Sequence, residues 1–152
     1  QIFLDQIRKN QSLTVTDPRM TRFIMSIQDA AGFILKATSI AKGGEIFILK
    51  MPSVKIEELA KNMYEVCKVS DKKIKNKIKV SKLRDHERFH EYLVTPEEIP
   101  FCHDLGDMYK ISTKKSKKEL SKEEFSSETA ERITKNKLKN VITELREEYL
   151  PF

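Results

Sequence analysis

The pattern of apolar positions predicts a helix, a strand and a second helix in succession in the first half of the chain. Ser26 and Asp29 have the spacing of a capping box, in which a hydroxyl and a carboxylate satisfy free N–H groups of the first helical turn. The apolar residues that follow recur at helical spacing: Ile27, Ala30, Ala31, Ile34 and Leu35. Gly43-Gly44 ends this helix, the apolar run Ile46–Leu49 predicts a buried strand, and Ile56 begins the second helix. This order indicates an α/β fold with parallel strand pairing.

Shorter patterns predict further elements before and after this region. Apolar residues between Ile2 and Ile7 predict a helix that is already under way at the first residue. Leu13–Thr16 alternates apolar and hydroxyl residues, as a short strand does. Ile74, Ile78 and Val80 alternate with lysines, which predicts a strand with these three side chains on its buried face.

The second half of the chain contains two helix-start signals and one segment of low apolar content. Thr95-Pro96-Glu97-Glu98 predicts a short helix, because it combines a threonine N-cap with proline and glutamate in the first turn. A strand is expected at Met108–Ile111. Ser112–Glu124 contains Leu120 as its single apolar residue, which predicts a mobile linker. After an N-cap at Thr134, apolar residues at helical spacing predict a terminal helix that docks on an apolar surface: Leu138, Val141, Ile142 and Leu145.

Several segments resemble one known family. Met20-Thr21-Arg22-Phe23 precedes the capped helix, and Gly43-Gly44-Glu45-Ile46-Phe47 follows it. Arg84–Glu91, R-D-H-E-R-F-H-E, stands where that family carries R-P-G-E-K-L-H-E, and Ser126–Arg132 is similar to its late Y-x-S-x-N-x-x-R-L segment. The chain thus resembles the C-terminal portion of the UDP-N-acetylglucosamine 4,6-dehydratases of capsule, flagellin and surface-glycan synthesis. The resemblance implies an α/β fold, the C-terminal part of an extended short-chain dehydrogenase/reductase with a small mixed α+β substrate lobe.

The resemblance also implies a set of substrate-binding residues. Arg22 and Arg84 would clamp the pyrophosphate of a UDP-sugar with planar, permanently charged guanidinium groups. Glu87 would accept hydrogen bonds from the ribose or orient Arg84. Met20 and Thr21 belong to the same turn beside the substrate. Asp85-His86 replaces the family's Pro-Gly, so a carboxylate stands next to one proposed phosphate ligand.

The glycines indicate that the cofactor half of such an enzyme lies outside this chain. The four glycines, Gly32, Gly43, Gly44 and Gly106, do not form the glycine-rich strand-to-helix turn on which a dinucleotide pyrophosphate lies. We therefore expect no cofactor and no catalytic residue here, whereas NAD(P) belongs to the full-length family. An NAD(P)-binding complementing chain or a homo-oligomer is the expected partner.

The expected division is a substrate-side portion at 1–111, a flexible linker at 112–125 and a C-terminal docking helix at 126–152. On this interpretation the chain is the UDP-sugar-binding portion of a dehydratase or epimerase and is inactive alone. The alternative is a degenerate, non-catalytic binding or interaction domain.

Two catalytic spacings compete with this interpretation. His86–His90 has the form H-E-x-x-H, in which two imidazoles one helical turn apart bind zinc and the glutamate activates water. Arg88 opposes that reading, because it places a cation beside the metal position. Tyr64 and Lys68 have the spacing of the catalytic pair of short-chain dehydrogenases. In the resembled family, however, that pair precedes the region that this chain covers. Because its spacing is complete, the H-E-x-x-H segment nevertheless leaves a zinc hydrolase as the alternative enzyme class.

Charge, apolar content and cysteine spacing limit the classes of partner and the compartment that we expect for this chain. The net charge of +6 comes largely from lysine runs at 68–82 and 114–122. Neither run interleaves aromatic residues with its lysines, so we interpret both as solvated surface and expect no nucleic acid partner. No apolar run approaches the roughly 20 residues that span a bilayer, so we expect a cytoplasmic chain without a membrane span. Cys67 and Cys102 lack metal or redox spacing and are expected to be unbridged thiols.

Overall fold

The computed structural model describes residues 2–67, 78–82 and 85–149. The helices in this part of the chain are α1 (Ile2–Arg8), α2 (Ile27–Ile40), α3 (Ile56–Val66) and α4 (Lys135–Tyr149). The strands are β1 (Leu13–Val15), β2 (Thr21–Phe23), β3 (Ile46–Leu49), β4 (Ser53–Lys55), β5 (Ile78–Val80), β6 (Cys102–Asp104) and β7 (Met108–Ile111). Single 3-10 turns occur at Ile99–Phe101 and Lys122–Phe125. This is a mixed α/β structure with small sheets.

The chain forms two compact units, each assembled from separate stretches of sequence. The first unit consists of Gln1–Arg22, Val54–Phe89 and Arg132–Phe152, and the second consists of Phe23–Ser53 and His90–Glu131. These boundaries differ from the sequence-based division at residues 111 and 125. β2 and β4 form a two-stranded sheet of their own.

In the first unit, α4 packs on α3, and β1 packs against both α1 and α3. The terminal helix is capped as predicted, because the Thr134 Oγ1 accepts a hydrogen bond from the Lys137 N–H at 3.3 Å. Of its predicted apolar stripe, Leu138, Val141 and Ile142 are buried, and Leu145 is partly exposed. The helix therefore docks on an apolar surface, as the pattern indicated.

β1 pairs in parallel with β5, with Leu13 opposite Ile78 and Val15 opposite Val80. Leu13 and Val15 are buried, whereas Thr14 between them is exposed, so the alternation predicted for this strand is confirmed. The prediction for β5 is wrong at Val80, whose side chain is 68% exposed. Ile74 lies outside the described residues.

The second unit is built on an antiparallel sheet in the order β3-β7-β6. Ile46 and Cys102 both pair with Ile111, which places β7 in the centre. A core cluster covers this sheet: Val94, Cys102, Tyr109, Leu120 and Phe125. The rings of Tyr109 and Phe125 lie 4.7 Å apart, centroid to centroid, and are tilted against each other.

The prediction of a buried strand in a parallel sheet is wrong for β3. The strand has the predicted bounds, but it pairs antiparallel with β7 and lies at an edge of the sheet. Ile46 is 55% exposed. A run of four apolar residues is compatible with several pairings, because periodicity alone does not distinguish a central strand from an edge strand.

α2 begins and ends as predicted, but its apolar face is exposed. Ser26 and Asp29 form both hydrogen bonds of the capping box. The helix is followed by Gly43 and Gly44, whose φ angles of 107° and 80° are accessible mainly to glycine. No residue of α2 is buried. Its most exposed large apolar side chains are Ile27, Ile34 and Leu35.

The segment 112–125 is packed, in contrast to the predicted mobile linker. Leu120 is 7% exposed and belongs to the core cluster, together with Phe125. The Ser116 N–H donates to the Pro100 carbonyl at 2.8 Å, and Ser121 caps the 3-10 turn that follows. Leu120 and Phe125 are the two buried residues that anchor the segment on the sheet, whereas most of its other residues are exposed. Its low apolar content was therefore a poor guide.

Three further predictions concern short features. At Thr95 the expected helix is a turn, in which the Thr95 N–H donates to the Glu98 carboxylate at 2.9 Å, followed by the 3-10 turn at Ile99–Phe101. Cys67 and Cys102 are free and buried, as predicted, and burial raises the pKa of the Cys102 thiol to about 11. Among the described residues, no helix combines the length and apolar character that crossing a membrane requires.

Candidate functional site

A cavity of about 430 Å³ lies within the first unit. Its polar lining residues come from β1, from the turn after it, from β2 and from the loop at Glu87, and its apolar lining residues come mainly from α1 and α3. The lining consists of Ile2, Phe3, Thr14, Thr16, Met20, Arg22, Ile56, Leu59 and Glu87. This size and mixture of apolar walls with a few polar groups are typical of sites for small organic ligands.

Arg22 is held by contacts on several sides. Its Nη1 donates to the carbonyl of Thr21 at 2.7 Å and to that of Phe89 at 3.1 Å. Its Nη2 lies 3.7 Å from the Glu87 Oε1 and 4.0 Å from the Met20 sulfur. Because the guanidinium is planar, these contacts fix both its position and its plane. The arginine lines the cavity as an oriented cation.

Glu87 is a carboxylate that the structure brings to Arg22. The two side chains are each 23% exposed, so the ion pair is partly shielded from water. The Thr16 hydroxyl donates to the Glu87 Oε1 at 3.3 Å. The sequence interpretation associated Glu87 with Arg84 or a ribose, and its pairing with Arg22 is a new element of the site.

The turn between β1 and β2 is fixed by Asp17 and Arg19. The Asp17 carboxylate accepts hydrogen bonds from the Arg19 backbone N–H at 2.8 Å, from its Nε at 3.0 Å and from its Nη2 at 2.8 Å. These hydrogen bonds, the side-chain one foremost, lower the pKa of Asp17 to about 2. The Arg19 guanidinium also lies over the Phe89 ring, 5.3 Å from its centroid. This turn leads directly into Arg22.

The remaining predicted site residues differ in their placement. Met20 is 1% exposed and lines the cavity, so a ligand can contact it only from inside the cavity. Thr21 is 1% exposed and does not line the cavity, and its backbone N–H donates to the Phe89 carbonyl at 3.1 Å. Arg84 lies outside the described residues. Of the predicted substrate residues, the structure therefore brings Met20, Arg22 and Glu87 together.

The H-E-x-x-H spacing does not form the arrangement that zinc binding requires. Residues 85–90 form turns and bends instead of the helix that H-E-x-x-H requires, and His86 has a φ of 67°. The part of the chain that the structure describes contains no group of three or more histidine, cysteine or carboxylate side chains arranged to hold a metal ion. The Tyr64 hydroxyl binds the main chain, accepting from the Leu13 N–H at 3.2 Å, and Lys68 lies outside the described residues.

Sequence reasoning missed the two threonines that line the cavity. Thr14 and Thr16 are two residues apart, so strand geometry places them on one side of β1, opposite the buried Leu13 and Val15. The alternation of Leu13–Thr16 contained this signal. The alternation served to predict a strand, but the face of that strand that carries the two hydroxyls was not identified as a ligand-binding surface.

The sequence of this chain is similar to one protein family and to several known proteins. Residues 1–113 match the family model described as "Polysaccharide biosynthesis protein". An uncharacterized membrane protein of Methanocaldococcus jannaschii is 39% identical over 148 residues, which cover 93% of this chain and 43% of that protein. A UDP-glucose 4-epimerase of Rickettsia bellii is 39% identical over 110 residues, covering 72% of this chain and 31% of the epimerase.

A solved structure is similar over almost the whole chain. The X-ray structure of Pen from Bacillus thuringiensis matches with a TM-score of 0.71 and 36% identity, over 97% of this chain and 44% of that chain. The chain therefore spans less than half the length of each of these three proteins. The family match covers most of the residues, and it includes every residue that lines the cavity. This chain belongs to the polysaccharide biosynthesis protein family.

Proposed function

We propose that this chain forms the UDP-sugar-binding portion of a nucleotide-sugar 4,6-dehydratase or epimerase that serves surface polysaccharide or glycan synthesis. The observation that carries the proposal is the oriented guanidinium of Arg22 in a cavity with apolar walls. A nucleoside diphosphate sugar combines an anionic pyrophosphate with a flat base. An arginine beside apolar side chains offers complementary surfaces to both parts.

The contacts of Arg22 favour a phosphate ligand. Its Nη2 lies 3.7 Å from the Glu87 Oε1, which is longer than a hydrogen bond. A phosphate oxygen that approaches an N–H of the guanidinium to about 2.8 Å forms a shorter, charge-assisted hydrogen bond. The carbonyls of Thr21 and Phe89 keep the guanidinium in place, so little side-chain entropy is lost when the ligand binds.

The family and one class of relative support a nucleotide sugar as the ligand. The family is described as polysaccharide biosynthesis, and the Rickettsia bellii relative is a UDP-glucose 4-epimerase. The narrower assignment to a UDP-N-acetylglucosamine 4,6-dehydratase rests on the resemblance at Met20–Phe23 and Arg84–Glu91. In this proposal NAD(P) and the catalytic residues come from a part of the enzyme outside this chain or from a complementing chain. This polypeptide alone has no dehydratase activity.

Titration calorimetry with UDP-N-acetylglucosamine tests the proposal. The chain is expected to bind the ligand, and Arg22→Ala is expected to weaken binding at least about tenfold, since a charge-assisted hydrogen bond contributes about 1.5–3 kcal/mol. Arg8→Ala is the matched control. Arg8 is another arginine of the first unit, it pairs with Asp5 on α1 at 3.8 Å, and it does not line the cavity.

Equal weakening by both arginine variants would indicate a general effect of charge and would contradict the specific role of Arg22. Absence of UDP-N-acetylglucosamine binding by the unmodified chain would overturn the proposed function. That result would favour the degenerate, non-catalytic interaction domain.

A further inference from the structure

Gln6 is joined by two hydrogen bonds to Thr14, which lines the cavity. The Thr14 backbone N–H donates to the Gln6 Oε1 at 3.1 Å. The Gln6 Nε2 donates to the Thr14 Oγ1 at 2.7 Å. Gln6 lies on α1 and Thr14 lies on β1, so this pair ties the helix to the strand at a residue that lines the cavity.

The first of these hydrogen bonds determines the direction of the second. A backbone N–H can only donate, so the side-chain atom of Gln6 that faces it must be the carbonyl oxygen. The other terminal atom of Gln6 is therefore the amide nitrogen, which donates to the Thr14 hydroxyl oxygen. Because that oxygen is already an acceptor for Gln6, the hydroxyl proton of Thr14 points elsewhere and can be donated.

The position of this hydroxyl suits recognition of a flat, uncharged group. Phe3 and Ile2 precede Gln6 by three and four residues, so all three lie on the same face of α1. Thr14 is thus beside the apolar wall that Ile2 and Phe3 contribute to the cavity. Along β1, Thr14 is about 7 Å from Thr16, which binds Glu87 beside Arg22. The donor and the cation are therefore separated along the cavity.

We propose that Thr14 is a ligand-binding residue whose hydroxyl donates to a carbonyl oxygen of a pyrimidine base, and that Gln6 is the positioning residue that sets its direction. The proposal rests on the proposed function, since it takes a uridine nucleotide as the ligand. Arg22 binds the pyrophosphate, the Phe3 side of the cavity contacts the base, and Thr14 makes the polar contact to that base. Thr14 and Gln6 would then favour a base with a carbonyl acceptor at this point.

Three substitutions separate the hydroxyl from its orientation. Thr14→Val keeps the branched shape but removes the O–H, and Thr14→Ser keeps the O–H. Gln6→Glu keeps the acceptor for the Thr14 N–H but replaces the amide donor by an acceptor, so the Thr14 proton turns toward the new carboxylate and away from the ligand. Gln11→Glu is the control for added negative charge, because Gln11 is an exposed residue of the same unit that does not line the cavity.

Calorimetric titration of two probes, UDP and inorganic pyrophosphate, measures the effect. We expect Thr14→Val and Gln6→Glu to weaken UDP binding about three- to tenfold, the loss of one hydrogen bond, while Thr14→Ser stays within about twofold of the unmodified chain. We expect Thr14→Val to leave pyrophosphate binding unchanged, since pyrophosphate has no base. We expect Gln11→Glu to bind UDP as the unmodified chain does.

The outcomes distinguish this inference from the function on which it rests. UDP binding that depends on Arg22 but is unaffected by Thr14→Val would overturn the role of Thr14 and leave the proposed function standing. Equal weakening of UDP and pyrophosphate by Thr14→Val would assign the hydroxyl to the phosphates and would also overturn the inference. Absence of UDP binding by the unmodified chain would overturn both.

Discussion

The Arg22 guanidinium and the Glu87 carboxylate lie 3.7 Å apart in the same cavity, so the cation of the site is already accompanied by an anion. The arrangement places a negative charge near any phosphate that reaches Arg22. Glu87 therefore both orients the arginine and competes with an anionic ligand.

The charge of Glu87 is expected to limit anion affinity. Glu87→Gln keeps the size of the side chain and removes its charge, so we expect pyrophosphate to bind about three- to tenfold more tightly, which corresponds to about 1 kcal/mol for a partly exposed pair. Calorimetric titration measures this change. Glu57→Gln on α3 is the control, since Glu57 pairs with Lys61 away from the cavity lining. Tighter binding in both variants would mean that only net charge matters.

Ile142 and Ile34 offer a matched test of where the stability of the chain resides. Ile142 on α4 is fully buried, so Ile142→Ala is expected to lower the free energy of unfolding by about 2–5 kcal/mol. Ile34 on α2 is 61% exposed, and Ile34→Ala is expected to change it by no more than about 0.5 kcal/mol. Urea unfolding followed by circular dichroism measures both values. A large loss for Ile34→Ala would show that the α2 face is covered in solution.

Leu120 is expected to hold the lysine-rich segment around it. Leu120→Ala should expose that segment and accelerate cleavage by trypsin after its lysines, because the segment's main apolar contact is removed. Leu105→Ala is the control in the same unit, since Leu105 is 43% exposed. Timed digestion with mass spectrometry identifies the cleavage sites. Fast cleavage at 114–118 in the unmodified chain would contradict the packed arrangement and restore the mobile linker.

The Asp17–Arg19 turn is expected to contribute a small acid-sensitive stability. The pKa of Asp17 falls from its ordinary value of 3.8 to about 2, mainly because its side chain is hydrogen-bonded to Arg19. A lowered pKa stabilises the folded state above pH 3.8, and this contribution disappears as the pH falls through about 2. Asp17→Asn keeps the acceptor for the Arg19 N–H and removes the charge. Thermal unfolding between pH 2 and pH 5 should therefore show a shallower pH dependence in the variant, and identical slopes would contradict the assignment.

Local sequence signals predicted where helices and strands begin and end better than they predicted strand pairing and side-chain burial. The capping box at Ser26 and the N-cap at Thr134 act within one helical turn, so sequence spacing was sufficient to predict them. The antiparallel pairing of Ile46–Leu49 depends on β7, which is distant in sequence. Leu120 is buried because a sheet surface happens to face it, and composition does not contain that information.

In the candidate site, too, features that are local in sequence were predictable and contacts between distant residues were not. The arginine turn was predictable from resemblance at Met20–Phe23, because the motif is local in sequence. The pairing of Arg22 with Glu87 and that of Gln6 with Thr14 each join separate elements, so local sequence spacing did not indicate them. The sequence indicated one face of hydroxyls on β1 and did not indicate which side chain would orient them.

The discontinuous first unit has a consequence for synthesis of the chain on the ribosome. α1, β1 and α3 are translated before α4, which packs on α3. During elongation at about 5–20 residues per second, the apolar surface of α3 therefore remains uncovered until α4 has left the exit tunnel. A nascent chain of this protein is a candidate for chaperone binding at α3, and a stop codon before Lys135 would leave that surface permanently exposed.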